Sequence, residues 1–277
     1  MSAERTWRKI RLLCFEAMML ILTLIVIIPL LVMVFGSFKN AQEASLFNLK
    51  PPTKWLFSNY AYVFVHGKLG RALINSFIVA FGSVGISIVA SAPCSYILAR
   101  RHTRFTTSIY NLFLIGLFAP IAIVPTVFLL KYMGILGDYW GLILVFSAVR
   151  MSFCVFLFSG FIKSVPREID EAAYIDGARP TRVFISIIAP LLKPVMVTNL
   201  AITTMSVWND YMLPMYLLSS PSKWTMPLTI YSFFGQYFRD WNLVFADLTI
   251  TALPMIILYL FAQKYIVAGM TVGAVKA

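Results

Sequence analysis

The chain has 277 residues and a formal net charge of +12; 60% of its residues are hydrophobic and only 12% are charged. Soluble domains carry about a quarter charged residues, so this composition excludes an ordinary soluble domain and indicates that lipid is the main solvent. Basic loops that face anionic lipid headgroups account for the positive charge. Nucleic-acid binding is not indicated, because basic and aromatic residues do not alternate outside the apolar runs.

Six apolar runs recur along the whole chain, each long enough to cross roughly 30 Å of hydrocarbon as a helix. They lie at about 13–36, 73–98, 107–131, 139–162, 195–218 and 243–267. A helix satisfies its own backbone hydrogen bonds, which makes it the economical way to cross a bilayer. We therefore predict an all-α integral membrane protein with six transmembrane helices in a single domain, 1–277. No small-residue cleavage site follows the first run, so we expect a retained helix rather than a signal peptide.

Lysine and arginine residues predict the orientation of these helices. If the N-terminal segment 1–12 is cytoplasmic, about fourteen basic residues fall on the cytoplasmic side and about eight on the other side. This bias places both ends of the chain in the cytoplasm, including a tail at about 264–277. Arg150 is left within the fourth run.

Small and kinking residues mark the second and third runs. The second run carries serines at a spacing of four residues, Ser83, Ser87, Ser91 and Ser95. This spacing favours close packing of two helices in lipid, and a hydrophilic channel lining is the alternative. The third run contains Pro120 and Pro125, which predict a bend that either lines a cavity or is purely structural.

The longest loop on the cytoplasmic side, about 163–194, has the pattern of two short helices joined by a tight turn. Acidic residues after Pro166 favour a helix N-terminus. Gly177 can end that helix in a left-handed conformation, and Pro180 can open the second helix. Small alanines between the charges give a surface that another protein can approach closely.

Polar residues on one face of the fifth predicted helix are candidates for a solute pathway: Asn199, Thr203, Ser206 and Asp210. Steps of four, three and four residues place them on one side of a helix. An acid near the end of a span is costly unless it meets a partner or a water-filled cavity. Helix-to-helix hydrogen bonding, or an acid that reaches the outer interface, explains the pattern equally well. The neighbouring candidates for the pathway or its gate are Trp208, Asn209 and Tyr211.

The sequence contains no motif for catalysis, metal binding or nucleotide binding. It lacks the G-x-x-x-x-G-K-[ST] loop that cradles nucleotide phosphates. Its three cysteines fall in or beside apolar runs, where we expect them to pack as small hydrophobic residues, and its two histidines have no ligand spacing. We therefore expect a chain that is not an enzyme and that holds neither a metal nor a cofactor.

The segment "EAAYIDGARPTRVFISIIAPLLKP" at 171–194 resembles the EAA loop of the membrane subunits of ATP-binding-cassette importers. The likeness covers the Glu-Ala-Ala tripeptide at 171–173 and, after it, Gly177, Phe184, Ile187, Pro190 and Pro194. Further segments are similar to the carbohydrate permeases of the maltose-transport type, in particular the smaller maltose permease subunit: "LINSFIVA" at 73–80, "WNDYMLP" at 208–214, "TMPLTI" at 225–230 and "QKYIVAGMTVGAVKA" at 263–277.

This resemblance implies a permease subunit of an importer in the bacterial cytoplasmic (inner) membrane. A second permease, expected to be a different chain, would complete the pathway for a sugar or oligosaccharide. Two ATPase subunits would bind ATP and Mg and drive transport, and an extracytoplasmic binding protein would deliver the solute. The loop between the fourth and fifth spans would supply the coupling helix that docks on the ATPase, through Glu171, Ala172, Ala173, Asp176, Gly177 and Ala178. The resemblance also implies a tail contact with the ATPase through Gly269, Gly273 and Lys276.

Three alternatives stay open at this point. The importer permease could carry another solute, such as a polyol phosphate, a sugar phosphate or a peptide. An ion-coupled transporter that works alone would use Arg150 and Asp210, but the EAA loop would then be unexplained. A non-transport scaffold of a membrane enzyme complex would not require a loop with this pattern.

Overall fold

The computed structural model describes the backbone of residues 2–233 and 240–274, and the side chains of residues 7, 11–233 and 240–265. Every regular element in these residues is helical, which confirms the predicted all-α membrane fold. The α-helices of the described residues are α1 Ser2–Ser37, α2 Ala41–Ala44, α3 Ser58–His66, α4 Leu69–Arg100, α5 Arg104–Phe118, α6 Ile123–Tyr132, α7 Tyr139–Ser164, α8 Glu168–Ile175, α9 Pro180–Val183, α10 Ala189–Leu191, α11 Lys193–Trp208, α12 Met212–Leu217 and α13 Trp241–Ala274. A π-helical turn at Phe184–Ile188 joins α9 to α10, and short 3₁₀ helices cover Pro221–Lys223 and Met226–Ser232.

Four helical segments in the described part of the chain are long and apolar enough to cross a membrane: Arg11–Ser37, Leu69–Arg100, Tyr139–Ser164 and Trp241–Tyr265. Two further pairs of helices reach the necessary length only together, because each pair is sharply bent. The predicted number of six spans is reached if each bent pair counts as one span. The exact number of spans therefore stays a prediction.

The first bent pair joins α5 to α6 with an angle of 114° between the two helices. The break covers residues 119–122 and contains Pro120, whose ring nitrogen has no proton to donate to a helical hydrogen bond. The bend predicted from the prolines is therefore confirmed. Pro125 lies in the first turn of α6, where the missing N–H interrupts no helical hydrogen bond.

The predicted continuous helix at about 195–218 is wrong. Helix α11 ends at Trp208, and α12 begins at Met212. Pro214 explains the break, because inside a continuous helix its ring would clash with the carbonyl four residues earlier. After the restart, Pro214 falls in the first turn of α12, and the Asp210 carboxylate accepts a backbone N–H of that turn at 3.1 Å.

The chain forms two compact units, Met1–Leu69 with Thr229–Ala252 and Gly70–Leu228 with Leu253–Ala277. In the first unit, Asn59 ties several segments together. Its Nδ2 donates to the backbone carbonyl oxygens of Ser37 at 2.8 Å and Lys39 at 2.9 Å, and its Oδ1 accepts from Asn242 Nδ2 at 3.2 Å. The ring of Phe47 packs edge-on against Trp241 and Phe245, with centroids 4.8 and 5.7 Å away.

In the second unit, α4 contacts α7 through its serine stripe. The four serines of the α4 stripe are all buried. Ser87 Oγ donates to the Ser147 carbonyl oxygen at 3.2 Å, and Ser95 Oγ donates to the Val155 carbonyl oxygen at 3.3 Å. A methyl group added at Gly82 would come within 3.0 Å of the Ile143 side chain, so the glycine leaves room for this side chain of α7. The packing interpretation of the serine stripe is therefore confirmed.

Candidate functional site

Helix α8 ends in a hydrogen-bonded turn at Gly177. Gly177 has a φ of +78°, which is the left-handed conformation predicted for this position. The Gly177 N–H donates to the Tyr174 carbonyl oxygen at 3.0 Å, and the Ala178 N–H donates to the Ala173 carbonyl oxygen at 3.0 Å. This pair of bonds is the Schellman motif, and the predicted helix–turn–helix arrangement is confirmed. Pro180 opens α9, as predicted.

One side of α8 is buried against the second unit's hydrophobic core. Ala173 is buried, and Ala178, which contacts the same core, is half-buried. The core that receives them contains residues from α4, α7 and the segment after the turn, including Phe158, Val183, Leu192 and Val195. Because an eight-residue helix is marginal by itself in water, α8 depends on this packing to hold its place.

A buried ion pair ties α8 to the end of α4. The Arg100 guanidinium contacts the Asp170 carboxylate, and both side chains are about nine-tenths buried, with 12% and 8% exposed. Arg100 Nη1 also donates to the Val165 carbonyl oxygen at 3.0 Å, just before α8 begins. One turn along each helix, the hydroxyl groups of Tyr96 and Tyr174 lie 3.4 Å apart. The last turns of α4 therefore hold the loop by charge as well as by packing.

The opposite side of α8 faces outward with no cover from the rest of the described chain. Glu171, Ala172, Asp176 and Gly177 are all exposed. Ile175 lies among them with 86% of its surface exposed. A large apolar side chain at the tip of a firmly held loop, surrounded by acids and a small alanine, gives a surface that another protein can cover.

The sequence did not single out Arg100, Asp170 or Ile175 for a specific role. Asp170, Ala173 and Tyr174 are spaced at i, i+3 and i+4, which predicts one buried face, and the acid on that face was the available signal. Its partner lies 70 positions earlier in the sequence, and no local pattern connects the two residues. Ile175 could have been found as the apolar residue that breaks the polar side of α8.

The candidate pathway residues of α11 do not share one environment. Asn199 and Thr203 are buried, and Thr203 Oγ1 donates to Asn199 Oδ1 at 2.9 Å. Cys154 of α7 donates to the same oxygen at 3.2 Å. Among the described residues, Asn199 Nδ2 has no hydrogen-bond partner. These side chains therefore lie in the contact between α11 and α7.

Of the remaining candidates, Ser206 and Trp208 lie in the last turn of α11, and the others follow it, so Asp210 is not on the same helix face as Asn199. Trp208 is 2% exposed and packs against Phe77 with 5.1 Å between ring centroids, whereas Asn209 and Tyr211 are exposed. Ser206 and Asp210 are half-buried.

Arg150, on α7, is the charged residue that the sequence left inside a span. It is close enough to Asp210 to interact electrostatically, but the two form no ion pair within 4 Å in the described residues. Its Nε is buried and has no hydrogen-bond partner among those residues.

The candidate tail contacts fall at the edge of what the structure describes. Gly269 and Gly273 lie in the last turns of α13, whose surroundings beyond residue 265 are outside the described residues, as is Lys276. Just before these residues, Thr198 Oγ1 donates to the Tyr265 carbonyl oxygen at 2.8 Å, and this hydrogen bond joins α11 to α13. In the described residues, no group of three or more acids, histidines and cysteines could hold a metal ion.

Comparison with known proteins gives one family. The family described as "Binding-protein-dependent transport system inner membrane component" matches residues 91–272. The multiple sugar-binding transport system permease protein MsmG of Streptococcus mutans is 36% identical, over 91% of this chain and 93% of that protein. The probable starch degradation products transport system permease protein AmyC of Thermoanaerobacterium thermosulfurigenes is 33% identical, over 93% of this chain and 94% of that protein. The diacetylchitobiose uptake system permease protein NgcG of Streptomyces coelicolor is 31% identical, over 94% of this chain and 88% of that protein.

A solved structure has the same fold. A chain from the crystal structure of a bacterial ABC transporter involved in the import of the acidic polysaccharide alginate superposes with a TM-score of 0.82. The alignment covers 93% of this chain and 96% of that chain, at 20% sequence identity. At this identity the likeness establishes the fold.

Proposed function

The chain belongs to the family of binding-protein-dependent transport system inner membrane components, and from this premise we propose that it forms, with a second permease, the import pathway for a sugar or oligosaccharide. The relatives support the solute class, because the three named above serve multiple sugars, starch degradation products and diacetylchitobiose. ATP would be bound and hydrolysed with Mg by two separate ATPase subunits. An extracytoplasmic binding protein would deliver the solute.

The observation that carries this proposal is the exposed side of α8. Its outward residues Glu171, Ala172 and Ile175 stand on a helix whose other side is held by the Arg100–Asp170 pair and by the core. A partner that covers this side would bury Ile175, and burying such a side chain contributes roughly 1.5–3 kcal/mol. We assign this surface to the ATPase, with Asp176 and Glu171 available to basic groups on it.

The ion pair suggests how movement passes from the ATPase to the pathway. A push on α8 acts directly on Arg100 at the end of α4 and, through the shared core, on the start of α11 near Val195. Approach of two coupling helices when the ATPases bind ATP would then shift α4 and α11 together and open the pathway to the other side. Hydrolysis would reset the arrangement.

Helix α1 supports the second permease as a partner. Residues 11–31 are exposed along their whole length, and none of the most apolar window of Arg11–Ser37 is buried. Lipid and the second permease would together cover this helix. We further propose that α8 and both ends of the chain are cytoplasmic, because the basic residues concentrate on that side.

The test is purification of the chain with its associated subunits from its own membrane in mild detergent. We expect an ATPase and a second permease to accompany it, and the variant Glu171→Lys to lose the ATPase while it keeps the permease. Gln42→Lys places a lysine at an exposed position of α2, with a charge change of +1 against +2 for Glu171→Lys, and should keep both. A chain that purifies alone and moves a solute in liposomes with only an ion gradient would contradict the proposal.

A further inference from the structure

A cavity of about 370 Å³ lies between the end of α4 and the loop that contains α8 and α9. Most of its wall is apolar, and it is lined by Pro93 and Ile97 of α4 and by Phe184 and Ile185 of the π-helical turn. Ligand cavities typically measure about 300–1,000 Å³. The space is therefore large enough for a substantial part of a small amphiphile.

The lining changes in character along α4. Pro93 and Ile97 come first, and Arg100 and Arg101 follow at the end of the helix. With a rise of about 1.5 Å per residue, the wall passes from apolar to cationic within about 12 Å. This change occurs where the apolar run of α4 ends, at about residue 98, and there we expect the lipid headgroup region to begin.

The charges at the cavity favour an anion. The charge of Arg100 is balanced by Asp170, which lines the same cavity. Arg101 also lines it, is exposed, and forms no ion pair with any residue that the structure describes. One cationic group is thus left unbalanced at the polar end, while the apolar end offers only hydrocarbon contacts.

We propose that this cavity binds an anionic phospholipid, with the phosphate at Arg101 and one acyl chain against Pro93, Ile97 and Phe184. Neither a free phosphate nor an uncharged hydrocarbon would use both ends of the cavity. The bound lipid would bridge α4 and the segment after Gly177, so its occupancy would stabilise the loop that carries α8. This proposal depends on insertion in a membrane and does not depend on the identity of the transported solute.

The experiment is native mass spectrometry of the purified full chain in detergent, with added dioleoylphosphatidylglycerol or dioleoylphosphatidylcholine. We expect the phosphatidylglycerol to be retained preferentially and the variant Arg101→Gln to lose about fivefold in its retention, as expected for one basic group at a lipid surface. Ile97→Trp, which fills the apolar end, should reduce retention of the lipid as well. The matched controls are Arg104→Gln, at the exposed arginine that begins α5, and Val89→Trp, at an exposed position of α4 outside the cavity.

Four outcomes would overturn the proposal. If the unmodified chain retained the two lipids equally, the charge of the lipid would play no role. If the Arg101 and Arg104 variants lost phosphatidylglycerol equally, Arg101 would not be a specific contact for the phosphate. Displacement of the lipid by millimolar inorganic phosphate alone would identify a phosphate site. A photo-reactive amino acid at position 97 that captures a polypeptide in native membranes, and no lipid, would assign the cavity to a protein partner.

Discussion

Helices α8 and α1 differ in what holds them. Helix α8 has eight residues and is fixed by a glycine turn, a buried ion pair and a packed alanine. Helix α1 has 36 residues, yet its side chains from residue 11 to residue 31 are exposed. Length and hydropathy therefore do not measure how firmly the chain itself holds a helix. The short helix has a defined position before any partner binds, and the long helix depends on lipid and on the partner permease that we propose.

The largest difference between the two helices should come from the ion pair. Arg100→Met leaves the Asp170 carboxylate buried without its partner, which typically destabilises a protein by about 3–5 kcal/mol. We expect a loss of this order in the free energy of unfolding, measured by denaturant titration in detergent micelles. The double variant Arg100→Met/Asp170→Asn should lose less than the single variant, because no uncompensated charge remains.

The second ion pair in the described residues supplies the control. Lys223 contacts Asp138, and these side chains are 31% and 55% exposed. Exposed pairs contribute about 0–1 kcal/mol, so Asp138→Asn should have a small effect. Similar losses in Asp138→Asn and Arg100→Met would show that the Arg100–Asp170 pair does not hold α8.

A smaller effect is expected at the turn. Gly177→Val places a β-branched residue at a φ of +78°, where an L-residue loses roughly 1–2 kcal/mol. There is open space around a methyl group at this position, so the cost is conformational rather than steric against a neighbour. Limited proteolysis should detect faster cleavage after residue 177, and Gly177→Asn should be milder because asparagine tolerates this conformation.

Gly160 is the matched glycine for that experiment. It lies inside α7 with an ordinary helical backbone, and a methyl group there also meets open space. Gly160→Ala should therefore be neutral or stabilising by up to about 1 kcal/mol. Equal proteolysis of the Gly177→Val and unmodified chains would show that the turn does not need its left-handed residue.

The smallest effect should come from α1. Ile25 is 60% exposed, so Ile25→Ala should change the stability of the isolated chain by no more than about 0.5 kcal/mol. The same truncation at Leu192, which is fully buried in the core below α8, should cost about 2–5 kcal/mol. Thermal unfolding in detergent compares the two variants directly. A large effect at Ile25 in the isolated chain would mean that the chain itself buries α1.

Local signals account for what the sequence could predict. Gly177 and Pro180 act on the backbone within one turn, so the helix–turn–helix loop follows from them directly. Run length and hydropathy likewise predict the long membrane helices, because a bilayer imposes a thickness on each one. The serine stripe predicts close packing of α4 against another helix, but it does not predict that this helix is α7.

What the sequence missed depends on contacts between distant parts of the chain or on competing local effects. The Arg100–Asp170 pair joins residues 70 positions apart, and no periodicity records such a contact. The apolar run at 195–218 is long enough for a span, but Pro214 and the capping oxygen of Asp210 divide it. Of the predicted polar face, Asn199, Thr203 and Ser206 lie on α11, whereas Asp210 falls beyond the end of this helix. The contact of Asn199 with Cys154 of α7 joins residues 45 positions apart, so no local pattern predicts it.

The length of α11 has a mechanical consequence. Its 16 residues give a rod of about 24 Å, which is shorter than the roughly 30 Å of a hydrocarbon core. The backbone turns by 71° just before the rod and breaks again between Asn209 and Tyr211 just after it. Helix α11 is thus a short rod with a backbone bend at each end. Because it packs along α7 and is bonded to α13 through Thr198, we expect it to move as one piece with these neighbours. The change in chain direction would then be taken up at the two bends, and the hydrogen bonds inside the helix would stay intact.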